Sequence, residues 1–116
     1  DGGLVSPVAV EAARRMGADV VIAVDISSAV VDGAAPKGTV EAILKSVDIM
    51  YAKIAAVQIR RADIVIRPRV GHIASGDFSK RHEAVLEGER AAMEALPSLQ
   101  AILERLRAEG RLPASS

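Results

Sequence analysis

Asp1-Gly2-Gly3-Leu4-Val5-Ser6-Pro7 is the stretch from which the fold is read. A carboxylate stands directly before two glycines, and Ser-Pro follows. Glycine adopts backbone conformations closed to other residues and carries no side chain, so Gly2 and Gly3 permit a sharp turn with close backbone approach. Ser6 is expected to cap the orphan amides of a helix, and Pro7 suits its first position, where no amide donor is needed. The implied order is strand, carboxylate at the strand's end, tight turn, helix. In open α/β sheets that end of a strand is where ligands bind. The chain opens at the carboxylate and without Met. The preceding strand is therefore expected upstream, in a longer protein of which these residues are the carboxyl-terminal piece.

Working outward, residues 7–16 read as a short helix, with Arg14 and Arg15 near its negative end and Gly17 as its stop. Asp19 to Ile26 is β-branched and apolar almost throughout. A run that does not alternate predicts a strand covered on both faces, as in a parallel sheet. With the upstream strand it makes a βαβ unit whose crossover is right-handed. Residues 27–38, with Asp32-Gly33 and Pro36-Lys37-Gly38, read as a loop. Thr39 is expected to cap a longer helix running to about residue 60. Val40, Ile43, Leu44, Val47, Met50, Tyr51, Ile54 and Val57 keep a helical period along it.

Ala62 to Arg67 reads as a second buried strand, ended by Pro68. A loop with Gly71 and Gly76 follows, then a helix over residues 78–96 using Phe78, Val85, Leu86, Met93 and Leu96. Pro97 is expected to break it and start a last helix, with Leu99, Ile102, Leu103 and Leu106 on its apolar face. Gly110 and Pro113 end that helix. The order α-β-α-β-α-α is an α/β pattern without internal repeats.

Composition removes several classes of function. The 116 residues suffice for one small domain, and half are hydrophobic. Charges balance at 15 basic and 15 acidic, against a nucleic-acid-binding surface, which needs a basic excess. Cysteine is absent, so no disulfide scaffold or thiol-rich metal site is expected. The longest apolar run, Val20 to Val24, falls far short of a membrane span.

Asp1-Gly2-Gly3-Leu4-Val5-Ser6-Pro7-Val8, then Val10-Glu11-Ala12-Ala13 and Gly17-Ala18-Asp19-Val20-Val21-Ile22-Ala23-Val24-Asp25, resembles the patatin-like phospholipase family. The likeness continues in Ala62-Asp63-Ile64-Val65-Ile66-Arg67-Pro68, Asp77-Phe78-Ser79 and Leu86-Glu87-Gly88-Glu89-Arg90-Ala91-Ala92. It runs over nearly the whole chain and is closest to the bacterial members. The resemblance implies a three-layer α/β/α fold with a mainly parallel sheet, residues 1–110 forming the carboxyl-terminal part of that domain and 111–116 a fraying tail. It implies a lipid acyl hydrolase, a phospholipase, lysophospholipase or esterase, working through a Ser-Asp dyad with no catalytic histidine. In that family the serine lies in Gly-x-Ser-x-Gly and a glycine-rich loop forms the oxyanion hole. Only the aspartate motif carries over here, with the dyad aspartate falling on Asp1 and the motif on Asp1, Gly2 and Gly3. Ala74-Ser75-Gly76 lacks the leading glycine. The nucleophile is thus expected upstream, and this piece alone is expected to be inert.

The chemistry asked of Asp1 is definite. A serine hydroxyl is a poor nucleophile at neutral pH, so a base must take its proton as the new bond forms. Without an intervening histidine the carboxylate must itself lie within roughly 2.6–3.2 Å of the hydroxyl. An ordinary aspartate, near pKa ~4, is a weak base, and desolvation in an apolar acyl pocket strengthens it. The resemblance further implies no cofactor, a phospholipid or other acyl-ester substrate with transient membrane-surface contact, no nucleic acid, and a bacterial cytoplasmic or envelope location. Two rivals belong to other classes: a patatin-like scaffold without activity, and a nucleotide-binding α/β module with an upstream phosphate loop.

Other residues carry plainer expectations. Asp-Gly is also a common turn dipeptide, which is the structural alternative for Asp1. Asp25 ends a strand as a ribose-binding acid does, yet no Gly-x-Gly-x-x-Gly precedes it, so a cap of the next loop is expected. His72, Asp77 and His82 fit no usual metal-ligand spacing and are expected to be surface polar residues. Arg60 and Arg61 are assigned to the dipole of the helix they end. Gly88, at a cost of roughly 1 kcal/mol relative to Ala, predicts a close helix-to-sheet crossing. The apolar face of helix 39–60 is expected in the core; a lid or lipid-facing surface is the alternative that sequence leaves open.

Overall fold

The computed structural model describes residue 6 and residues 8–27, 37–74 and 76–113. Asp1, Gly2 and Gly3, the upstream crossover and the turn at Asp32-Gly33 lie outside the described residues. In chain order the elements are α1 (Val10–Arg15), β1 (Ile22–Val24), α2 (Thr39–Ile59), β2 (Ile64–Ile66), a single 3₁₀ turn (Phe78–Lys80) and α3 (Arg81–Ala108). The chain is mixed helix and strand, with a two-stranded parallel sheet. Ile22 pairs with Ile64, Ala23 with Val65 and Val24 with Ile66. The Asp63 amide donates to Val21 O at 2.9 Å and the Asp25 amide to Ile66 O at 2.8 Å, prolonging the ladder at both ends.

Both glycine stops work as local chemistry dictates. Gly17 has φ 95° and Gly110 φ 72°, backbone positions that glycine fills without strain. After α1 the Gly17 amide donates to Arg14 O and Ala18 to Ala13 O; after α3, Gly110 donates to Arg107 O and Arg111 to Leu106 O. In each case two orphan carbonyls are satisfied by the residues at and after the glycine.

The helix starts differ from expectation. Ser6 does not cap α1, which begins at Val10 with Ala9 at its cap and no side-chain bond there. The Ser6 hydroxyl is engaged instead by Gln58 of α2. Thr39 is the first residue of α2 rather than its cap; Gly38 holds that position. Glu41 in the first turn reaches back to accept from the Lys37 amide at 2.9 Å, which satisfies a donor that a capping hydroxyl would leave alone. Phe78 begins a 3₁₀ turn capped by Asp77, and the α-helix starts only at Arg81.

Pro97 does not divide the last two helices: α3 runs through it for 28 residues. Proline removes one amide and strips Met93 O of its helical partner. Both residues are exposed, so water can reach that carbonyl.

Burial also departs from the sequence pattern. The core is small: Val10, Val21 and Ala23, with Val8, Ala13 and Ala62 against it. Among the described residues β1 is covered on one face only, since Ala23 is buried while Ile22 and Val24 are exposed. On α2 only Ala55 and Ile59 are buried, and Val40, Ile43, Leu44, Met50 and Val57 face outward. No described element lies over those side chains, and periodicity alone cannot reveal that. α3 packs against β2, with Ala91 buried and Ala84, Gly88 and Ala95 half-buried; Val85, Leu86 and Met93 point away. Its distal end agrees with expectation, Leu106 being buried and Leu99, Ile102 and Leu103 half-buried.

Candidate functional site

The carboxyl ends of β1 and β2 lie side by side and deliver Asp25 and Arg67. The Asp25 carboxylate accepts from the Ser27 amide at 3.1 Å and from its hydroxyl at 2.6 Å, and it faces Arg67 Nε at 3.4 Å. A carboxylate so engaged caps the following loop.

A groove of about 460 Å³ opens at the same strand ends, between Val24 and Ile26, Pro68 and Val70, and Phe78 and Gly88. Its walls are mostly apolar, with Lys80 and Arg81 at the start of α3 among the lining residues. Gly88 faces this space, and a Cβ built on it meets no described atom within 4 Å. The expected close crossing is therefore absent among the described residues, and the missing side chain is not required by a neighbouring backbone.

Both histidines are exposed. His72 Nε2 lies 2.5 Å from Glu83 Oε1, joining the loop after β2 to the first turn of α3. Asp77 accepts from the Ser79 hydroxyl and from its amide at 3.1 Å. The Ser79 hydroxyl is the main influence holding the Asp77 carboxyl below its usual range. Among the described residues no three His, Cys, Asp or Glu side chains converge as a metal would require.

Two constellations around α1 are not evident from sequence. The first is centred on Asp63, just before β2. Its Oδ2 accepts from the Val21 amide at 2.8 Å and from Arg14 Nη2 at 2.6 Å, while the same guanidinium donates to Arg61 O at 3.0 Å. The Val21 amide, then Arg14, lowers the Asp63 pKa against the opposing effect of burial. Arg61, assigned above to the helix dipole, instead reaches Glu11 Oε2 at 2.7 Å, and its hydrogen bond and charge lower the Glu11 pKa. Together these bonds tie one face of α1 to the chain between α2 and β2.

The second constellation is Gln58. Val8 N–H donates to Gln58 Oε1 at 2.9 Å, and Gln58 Nε2 donates to Ser6 Oγ at 3.2 Å. The one carboxamide thus holds the chain at Ser6 and at Val8, ahead of α1. A polar residue beside the buried Ile59 was its only sequence signal. No model of a known protein family matches this chain.

Proposed function

We propose that this chain is the carboxyl-terminal part of a patatin-like serine acyl hydrolase with a three-layer α/β/α fold, acting on phospholipid, lysophospholipid or another carboxylic ester. Asp1 is its base, Gly2 and Gly3 form the turn beside it, and the serine belongs to an upstream Gly-x-Ser-x-Gly. The observation that carries the assignment is the ordered run from Asp1-Gly2-Gly3 through Asp19–Asp25 to Ala62–Pro68. The two later segments contain β1 and β2, paired in parallel as a sheet of that class requires. Asp25 is engaged by Ser27 and Arg67, which is the role of a loop cap rather than of a base.

In the mechanism that follows, the Asp1 carboxylate accepts the serine proton as the hydroxyl attacks the acyl carbonyl. It returns that proton to the leaving alcohol, and a water activated by the same carboxylate then releases the acyl group. No cofactor enters these steps. The substrate is presented at a lipid surface, which brings the protein into transient contact with membrane.

The test is ester hydrolysis by purified full-length protein carrying Asp1→Asn, with Asp25→Asn as the matched control. Asn is nearly isosteric and still serves the turn, so Asp1→Asn is expected to stay folded while turnover falls about a thousandfold, mid-range for loss of a general base. Asp25→Asn is expected to hydrolyse ester like the parent. If the Asp1 variant hydrolyses ester like the parent while Asp25→Asn does not, the catalytic assignment is wrong; if both variants are folded and fully active, the base lies outside these residues.

A further inference from the structure

We propose that the free edge of β2 is a self-pairing surface, on which a second copy of this chain lays its own β2 antiparallel. None of the residues assigned to ester hydrolysis enters this pairing.

Pairing with β1 fixes which backbone groups of β2 remain over. The Ile64 amide donates to Val21 O at 3.3 Å, and Ile66 O accepts from the Asp25 amide at 2.8 Å, so both face β1. Across a planar trans peptide the C=O and the following N–H point in opposite directions. Asp63 O and the Arg67 amide are therefore aimed at the other edge. The alternation of a strand sends the N–H and C=O of Val65 the same way. None of these four groups has a hydrogen-bond partner among the described residues. Such a row of unpaired donors and acceptors is a template for another strand.

The edge is also open in space. A groove of about 400 Å³ runs along residues 63–67, with Ala91, Glu94, Ala95 and Ser98 of α3 as its other wall. Three of those four side chains are small, which leaves room beside the strand.

The order of residues says what fits there. Asp63-Ile64-Val65-Ile66-Arg67 complements itself when reversed. In an antiparallel pair about a two-fold axis at Val65, the two Val65 residues exchange both of their hydrogen bonds. Each Arg67 amide then donates to Asp63 O of the other copy, and all four free groups are satisfied on both. The same register sets Ile64 opposite Ile66 and Asp63 opposite Arg67, an opposite-charge pair on either side of the axis. A parallel arrangement would set like charges together. The side chains have capacity left for these pairs. Both hydrogen bonds of the Asp63 carboxylate use Oδ2, and Arg67, 64% exposed, meets Asp25 through Nε at 3.4 Å. Two strands alone make a marginal sheet, and this union makes four, ordered β1-β2-β2-β1. Because the same patch is used on both copies, the assembly closes at a dimer.

The test is the oligomeric state of the full-length protein over a range of concentrations, by sedimentation equilibrium with thermal unfolding alongside. The parent is expected to pass from monomer to dimer. Val65→Pro removes the N–H at the axis but is tolerated on an edge strand whose N–H points outward, so β1 keeps its partner. It is expected to raise the dimer Kd about thirtyfold, the effect of losing two hydrogen bonds. Arg67→Glu sets like charges across both pairs and is expected to raise Kd about tenfold; Arg67→Lys keeps the sign and should stay within about threefold. Hydrogen exchange reads the edge itself. Protection of the Val65 and Arg67 amides should grow with protein concentration, while that of Ile66, whose amide faces β1, should not. A full-length protein that stays monomeric overturns the proposal. So does a dimer whose Kd is unmoved by Val65→Pro and Arg67→Glu. A Val65 amide protected equally at every concentration overturns it too, because another segment then occupies this edge. Should Val65→Pro unfold, Arg67→Glu against Arg67→Lys decides by the same criteria.

Discussion

Asp63 sits where one carboxylate can hold two elements at once, the Val21 amide ahead of β1 and the Arg14 guanidinium at the end of α1. Both partners favour the ionised form, and the pKa is lowered in the folded chain. A carboxylate with a depressed folded pKa contributes stability above its unfolded value, near pH ~4, and loses it as pH falls through the folded value. Asp63→Asn in the full-length protein is therefore expected to cost about 1 kcal/mol at neutral pH, the modest end for a charged hydrogen bond, since the site is partly exposed to water. The gap between parent and variant should close on acidification below about pH 4, as followed by denaturant unfolding at several pH values. A gap that stays constant with pH would assign the loss to shape rather than charge. Sequence marked Asp63 only as the start of a strand. Its partners lie 42 and 49 positions away, a distance local chemistry does not span.

At the scale of elements, the glycine stops were legible, while the break expected at Pro97 and the buried faces were not. Gly17 and Gly110 end helices by a rule that involves only the last turn and two following residues, so the sequence carries it whole. Strand direction was legible too, since Ile22–Val24 and Ile64–Ile66 pair in parallel, although the described elements do not cover β1 on both faces. Which face of a helix is buried depends on what lies opposite. The small residues Ala84, Gly88, Ala91 and Ala95 turn toward the sheet and groove, while the larger Val85, Leu86 and Met93 do not. Gly88 gives the test at this scale. With open space beyond its Cα, Gly88→Ala is expected to stabilise the full-length protein by about 1 kcal/mol through helix propensity alone. Gly17→Ala, at φ 95°, is the opposite case and should destabilise by about the same amount. Loss of stability at Gly88→Ala would mean that a segment outside the described residues closes over that face.

For the molecule as a whole, the apolar surface exceeds what the described elements cover. The radius of gyration is 17.5 Å, against about 13 Å for a compact domain of this length. Ile22 and Val24 stand exposed on β1, whose second edge has no partner among the described residues, and α2 presents a row of outward aliphatic side chains. Open strand edges and wide apolar faces pair with whatever reaches them. Residues 1–116 expressed alone are expected to self-associate and to show weak amide protection in both strands, by light scattering and hydrogen exchange. A monodisperse monomer with strongly protected strands would show the piece to be self-sufficient. No helix among the described residues is long and apolar enough to cross a membrane. The candidate base was legible as a motif, while the bonds of Gln58 to Ser6 and Val8 emerged only when these residues were brought together in space.

The most direct measurement of the central claim is single-turnover acylation of the full-length protein by an activated ester, comparing the parent with Asp1→Asn under matched folding checks. With Asp1 as the serine's base, acyl transfer in the variant slows about a thousandfold while its unfolding temperature stays near that of the parent. An Asp1→Asn protein that acylates at the parental rate would contradict the assignment.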